Sequence, residues 1–289
     1  MRTALALALA LSVFACRPKN DDPDPPTPPG GGGATDESTG LAEDGTDSNA
    51  AENDSEALSS TLVGGGGPGG GIGLASIAEL AGSDVSTHTI GDGAKALYIP
   101  RGCLTVTLGA GATDTEGTAK YSFNGCTGPA GLVNITGVVD VTYKATPNHL
   151  TLDLVGTDLK TNRATIDWSA HAEVDANGAA RTMTWKASLT GSTARGRDFT
   201  RSNEKKIEWT VGEPCIGLDG TSQGSVSGRS IKTDVKDFRR CRGSCPDAGG
   251  SITVTNLDKN VSIEIRYDGT NQATLVTPKG ESKFSLLCR

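Results

Sequence analysis

The chain is poor in the residues from which most active sites are built. Its 289 residues include three histidines, His88, His149 and His171, two methionines and only 4% aromatics. No imidazole follows residue 171, so Cys241-Arg-Gly-Ser-Cys245 lacks downstream histidines with which to complete a tetrahedral zinc set. A redox Cys-x-x-Cys is missing too, because three residues separate those two cysteines and no βαβ pattern surrounds them. The apolar run Ala4–Phe14 has eleven residues, against about 20 for a membrane-spanning helix.

An excess of basic charge is also missing. The net charge of −7 is unevenly spread: between Arg17 and Gly66 there are eleven acids and two bases. With Arg2 set aside, the remainder holds 23 acids against 24 bases. A near-neutral remainder argues against nucleic acid as a partner.

The N-terminus is informative. Arg2 followed by Ala4–Phe14 reads as an export signal. It ends in Val13-Phe14-Ala15-Cys16, which resembles the lipobox of bacterial lipoproteins, although Phe14 is bulkier than the residue usual there. The resemblance implies a signal peptide over 1–15, cleavage before Cys16, diacylglycerol on its thiol and an acyl chain (palmitate or similar) on the new amine. Lipid on Cys16 would make the bilayer the first partner, each buried CH₂ contributing about 0.8 kcal/mol. Arg17 stands where inner-membrane lipoproteins of this kind carry Asp, so the resemblance favours the outer membrane.

Residues 16–73 then read as a lipidated cysteine and a disordered tether. Asp24-Pro25-Pro26-Thr27-Pro28-Pro29, Gly30–Gly33, an acidic Ser/Thr-rich stretch and Gly64–Gly73 follow one another with no aromatic residue. Such a segment buries too little apolar surface to offset its chain entropy. As a coil, about 55 residues span roughly 40 Å. Its acids suit a spacer or a lure for a basic partner. Gly64–Gly73 follows no strand and lacks the Lys-Ser/Thr ending of a phosphate-binding loop.

From residue 74 to 289 the chain reads as one all-β domain. Ile166, Trp168, Ala170, Ala172 and Val174 alternate with Asp167, Ser169, His171, Glu173 and Asp175. Met183, Trp185, Ala187 and Leu189 alternate with polar residues, and shorter runs recur to Phe284–Leu286. Asn177-Gly178, Asp219-Gly220 and Asp268-Gly269 are hairpin dipeptides. Only Leu74–Leu80 looks helical. About a dozen short-turned strands predict an antiparallel meander, forming a sandwich or a closed or partly closed barrel.

Once Cys16 is set aside, six cysteines remain, an even number in an exported chain. Cys103 and Cys126 flank one hairpin. Alternating strands bring Cys245 and Cys288 to the same end, and Cys215 with Cys241 is left as the third pair.

No residue set spells out catalysis, cofactor binding or metal binding. Gly220-Thr-Ser222-Gln-Gly224 matches the G-x-S-x-G pattern, but its flanks lead into a strand rather than the helix that a nucleophile elbow needs. Asp153, Asp167, Glu173 and Asp175 are candidates for a glycosidase pair, though they share the polar phase of their strands. Trp168, Trp185 and Trp209 sit in the apolar phase and read as core. Arg195, Arg197 and Arg201, with Arg239-Arg240-Cys241-Arg242, form basic patches suited to solvent, lipid phosphate or an acidic glycan.

Phe123-Asn-Gly-Cys126-Thr-Gly-Pro-Ala-Gly-Leu132 and Cys241-Arg-Gly-Ser-Cys245-Pro-Asp-Ala-Gly-Gly250, with the closing Leu-Leu-Cys288, resemble a group of uncharacterised myxobacterial-type lipoproteins across residues 98–289. That resemblance implies a β-rich envelope domain and carries over no activity. The expectation is a non-catalytic envelope lipoprotein, structural or ligand-binding, with a glycan or an envelope protein as partner. The alternative is a carbohydrate-active surface protein.

Overall fold

The computed structural model describes residues 37–63, 92–128, 132–241, 243–286 and 288. Cys16, the expected helix at Leu74–Leu80 and His88 lie outside them. Among the described residues two helices, α1 (Glu37–Val63) and the single turn α2 (Asp92–Lys95), precede thirteen strands. These are β1 (Leu104–Leu108), β2 (Glu116–Cys126), β3 (Ile135–Thr146), β4 (His149–Lys160), β5 (Ala164–Asn177), β6 (Ala180–Thr193) and β7 (Asp198–Thr210). They continue as β8 (Cys215–Val226), β9 (Arg229–Cys241), β10 (Ser251–Asn256), β11 (Val261–Tyr267), β12 (Gln272–Thr277) and β13 (Gly280–Ser285).

All thirteen form one antiparallel sheet in sequence order, so every strand pairs with its chain neighbours. The meander follows from the short turns: Asn177 pairs with Ala180 around Gly178, whose φ of 58° is the left-handed conformation that a tight hairpin turn requires. The expected all-β antiparallel meander is what forms, as a single open sheet and not a closed barrel. One ladder runs unbroken from β1 to β13, and the sheet does not close on itself. Nor is Asp219-Gly220 a hairpin turn. It lies inside β8 at a register shift between Leu218 and Gly220.

The sheet curls, because α1 touches β5, β6, β7, β10 and β11 together. Bulges help to bend it. At Asp158 and Asp237, on β4 and β9, φ is near +50°. In each case the freed backbone N–H donates to a carboxylate on the neighbouring strand, Asp167 for Asp158 at 2.8 Å and Asp219 for Asp237 at 2.7 Å. Gly156 has a packing reason: a Cβ there would overlap the Trp168 indole.

Alternation puts the core on the concave side. Ile166, Trp168, Ala170, Ala172 and Val174 of β5 are buried, as are Met183, Trp185, Ala187 and Leu189 of β6. All three tryptophans are at most 4% exposed. Each contributes on the order of 4 kcal/mol, at about 25 cal/mol per Å² of apolar surface removed from water.

Three disulfides tie the sheet: Cys103–Cys126, Cys215–Cys241 and Cys245–Cys288, the pairs expected from strand direction. Cys215 and Cys241 face each other directly across β8 and β9. Cys245–Cys288 closes the longest loop, with a sequence separation of 43, and staples the end of the chain back to the β9–β10 connection.

The stretch read as a tether needs one correction. Residues 37–63 within it form α1. The helix was hidden because it carries acids and small residues, not an apolar stripe, on its buried face.

Replacing both Cys245 and Cys288 by Ser is expected to lower the unfolding free energy by about 4 kcal/mol, the entropy of a loop that size. Urea denaturation of the oxidised protein measures it.

Candidate functional site

Strand β7 breaks the apolar rule of the concave face. Every second residue from Phe199 to Trp209 is buried, yet three of the six are Arg201, Asn203 and Lys205. Charges turned inward need a counter-charge in the low-dielectric interior, and α1 supplies it. Its buried positions Leu41, Asp44, Ser48, Ala51, Ser55 and Leu58 follow a three-four spacing, so they share one side of the helix. Small residues let the backbone come close to the sheet: a Cβ on Gly45 would stand 3.1 Å from Val254 Cγ1. The buried Ser48 and Ser55 hydroxyls donate back to the carbonyls of Gly45 and Glu52.

Charge pairs run along the whole contact. Asp44 accepts from Arg197 Nη1 at 2.5 Å and from Arg229. Glu43 accepts from Arg197 Nη2 at 2.8 Å, and Arg195 lies 3.7 Å from both Glu43 and Asp47. At the centre, Arg201 Nε donates to Glu52 Oε1 at 2.6 Å, with both side chains almost wholly buried. Lys205 Nζ stands 3.8 Å from Glu52 Oε2, and the Ser222 hydroxyl donates to Oε1. Arg201 Nη2 reaches Thr233 Oγ1 at 3.0 Å and Asn49 Oδ1 at 3.4 Å. Farther along, Asp54 pairs with Arg163 and accepts from Thr161 Oγ1 at 2.7 Å.

These surroundings set the carboxyls apart. Burial pushes Glu52 upward, but Arg201, Lys205 and the Ser222 hydroxyl outweigh it and hold Glu52 below the usual range. For Asp54, burial wins over Arg163 and Thr161, and the carboxyl is raised. Asp47 is raised as well, again chiefly by burial.

The expected site residues fall into place around this interface. Arg197 and Arg201 turn to the acids of α1, and Arg195 meets Glu43 and Asp47 at the exposed rim of the contact. Arg239 and Arg240 are elsewhere, Arg239 3.5 Å from Asp247 and Arg240 donating to the Ser244 carbonyl, while Arg242 lies outside the described residues. Ser222 of the G-x-S-x-G pattern is buried within β8 and bonded to Glu52, so it sits on no elbow. Cys241 and Cys245 belong to two different disulfides. Among the described residues, no cluster of His, Cys, Asp and Glu could hold a metal ion.

The convex face carries a second feature. A groove of about 580 Å³ crosses β4–β8, lined by Asp153, His171, Lys186, Glu204 and the hydroxyls of Ser188 and Ser202. His171 Nδ1 is 2.7 Å from Asp153, and Nε2 is 3.4 Å from Glu173. Two carboxylates thus occupy both ring nitrogens, leaving neither to serve a nucleophile. Asp167 is committed to the Asp158 amide, and Asp175 to His149 at 2.8 Å. The hydrogen bond to Asp153 raises the His171 pKa, with Glu173 adding to it.

No family model, no curated protein and no solved structure matches the chain.

Two predictions follow from these arrangements. Breaking a buried pair costs about 3–5 kcal/mol when the orphaned charge stays buried. Here Arg201 and Lys205 regain water if α1 leaves, so the loss is capped by the docking free energy of the helix. Glu52→Gln is therefore expected to cost less, about 1–3 kcal/mol, and to melt the helical circular-dichroism signal before the β signal. For His171, the raised pKa means that its contribution to stability is full below about 6.5 and fades as pH rises through the folded value. An NMR titration should place His171 above that reference, and Asp153→Asn should bring it down.

Proposed function

We propose that this chain is a non-catalytic lipoprotein of the cell envelope, anchored through acylated Cys16, whose β domain acts by binding. The observation that carries the non-catalytic reading is the state of His171. Asp153 and Glu173 lie at its two ring nitrogens, just as Asp175 and Thr151 lie at those of His149, and neither imidazole is paired with a serine or cysteine nucleophile. The anchoring part rests on Val13-Phe14-Ala15-Cys16 behind an eleven-residue apolar run. No described helix is long and apolar enough to cross a membrane. Arg17 after the cysteine favours the outer membrane by resemblance.

A glycan-binding role is the second reading, and the convex groove supports it: hydroxyls beside charged groups suit a polyol. It gets no support from the tryptophans, whose burial leaves them unable to stack on a sugar.

In a Gram-negative host, wild type should partition with outer membranes and carry a mass increment for three acyl chains on Cys16. Cys16→Ala should be released to the soluble fraction. Equal partitioning of the two would overturn the anchor. Turnover of a chromogenic glycoside, lost in Asp153→Asn, would overturn the non-catalytic reading.

A further inference from the structure

The concave face of the sheet holds an occupant that fits it only in part. Helix α1 brings five carboxylates, Glu43, Asp44, Asp47, Glu52 and Asp54, to cations of β7 and of three turns at one end of the sheet. Its seam positions are filled by Asp, Ser and Ala between two leucines, so little apolar area holds it in place. Ion pairs taken out of water give back in attraction roughly what desolvation costs. Gly40, Gly45 and Asn49 within it are weak helix formers, so the helix depends on the sheet for its shape.

An independent observation lies on β7, between the two cations that meet Glu52. Asn203 is 6% exposed, and neither its Oδ1 nor its Nδ2 has a hydrogen-bond partner. It stands between Arg201 and Lys205 on β7 and directly opposite Ser222, the residue that bonds Glu52. Buried amides are normally paired. The cradle therefore offers a donor and an acceptor that its resident helix leaves unused, next to the cations that the helix does use.

We propose that the concave face is a docking site for an acidic α-helix of a partner chain, and that α1 is its exchangeable resident. The inference rests on the binding arm of the function proposed above. The partner chemistry is set by the cradle. It needs carboxylates spaced to meet Arg197 and Arg229 at one end, Arg201 and Lys205 at the centre and Arg163 at the other. Small residues between them allow close approach, and a polar side chain over Asn203 completes the contact. Only 28 residues separate Val63 from Asp92, so α1 competes from within the chain at an effective concentration on the order of millimolar. A partner helix binds when it outcompetes that resident or when the resident is pulled away.

The test uses the full chain and a fluorescein-labelled synthetic peptide of residues 37–63, followed by anisotropy. Two variants vacate the cradle: Gly45→Pro, which breaks α1 without altering charge, and Asp44→Lys with Glu52→Lys, which repels it. Both are expected to bind the peptide at least tenfold more tightly than wild type. Adding Arg201→Met to Gly45→Pro should weaken binding at least tenfold, and a scrambled peptide should bind at least tenfold less well. The proposal is overturned if a vacated variant that keeps its β circular dichroism takes up no peptide. Equal binding of the scrambled peptide, or displacement by millimolar inorganic phosphate, also overturns it by reducing the cradle to a general anion sink. Loss of the β signal in both variants makes α1 an integral core element, and that too overturns exchange. Membrane fractionation of Cys16→Ala reads none of these outcomes, so failure of the anchor and failure of the cradle are distinguishable.

Discussion

Arg201 on β7 points into the curl of the sheet, and Glu52 of α1 is the charge that meets it. The placement of α1 depends on that pairing. A guanidinium with no solvent exposure is tolerable only when its charge and its N–H groups are answered. Glu52, Thr233 and Asn49 answer them together. The helix must come close enough for a glutamate to reach β7, which accounts for Gly45, Ser48 and Ala51 on its inner side. Asp44 and Asp54, toward its two ends, then meet the arginines of the sheet turns.

The two faces of the sheet divide the labour. Inside, apolar residues and three tryptophans surround a polar strip contributed by β7, Ser222 and Thr233. Outside, ion pairs such as Lys186–Glu204 and Asp153–His171 lie in water, where each is worth little. The disulfides act at the strand ends, away from the polar strip. Exchange of the helix requires the sheet to keep its shape with the cradle vacated, and the disulfides are placed to support that.

Most of the sheet is legible in the sequence because β5 and β6 alternate cleanly, with Trp168 and Trp185 in the apolar phase. Two of the disulfides are legible from strand direction, and the third is the pair that then remains. β8 is not: Gly217, Gly220 and Gly224 interrupt it, and Ser222 sits in its buried phase where an apolar residue would mark a strand. Its Asp219-Gly220 bulge mimics a turn. α1 is the larger omission, since acids and serines on a three-four spacing look like a solvated tether to any reading that tracks hydrophobicity. The signal was on β7 instead. Arg201, Asn203 and Lys205 share the phase of Phe199, Ile207 and Trp209, so a strand with charges in its inward phase calls for a buried acidic partner. The one concentrated source of acids in the chain is residues 17–66.

Amide hydrogen exchange on the wild-type protein tests this account most directly. If the acidic helix is seated by the charges of β7 and the turns, backbone amides between Leu41 and Leu58 should exchange far more slowly than an unstructured acidic peptide. That protection should fall as salt is raised from 0.05 to 1 M, which shortens the Debye screening length roughly four- to fivefold, while the amides of β5 and β6 stay unchanged. Exchange of 41–58 at the rate of a free peptide in low salt would contradict it.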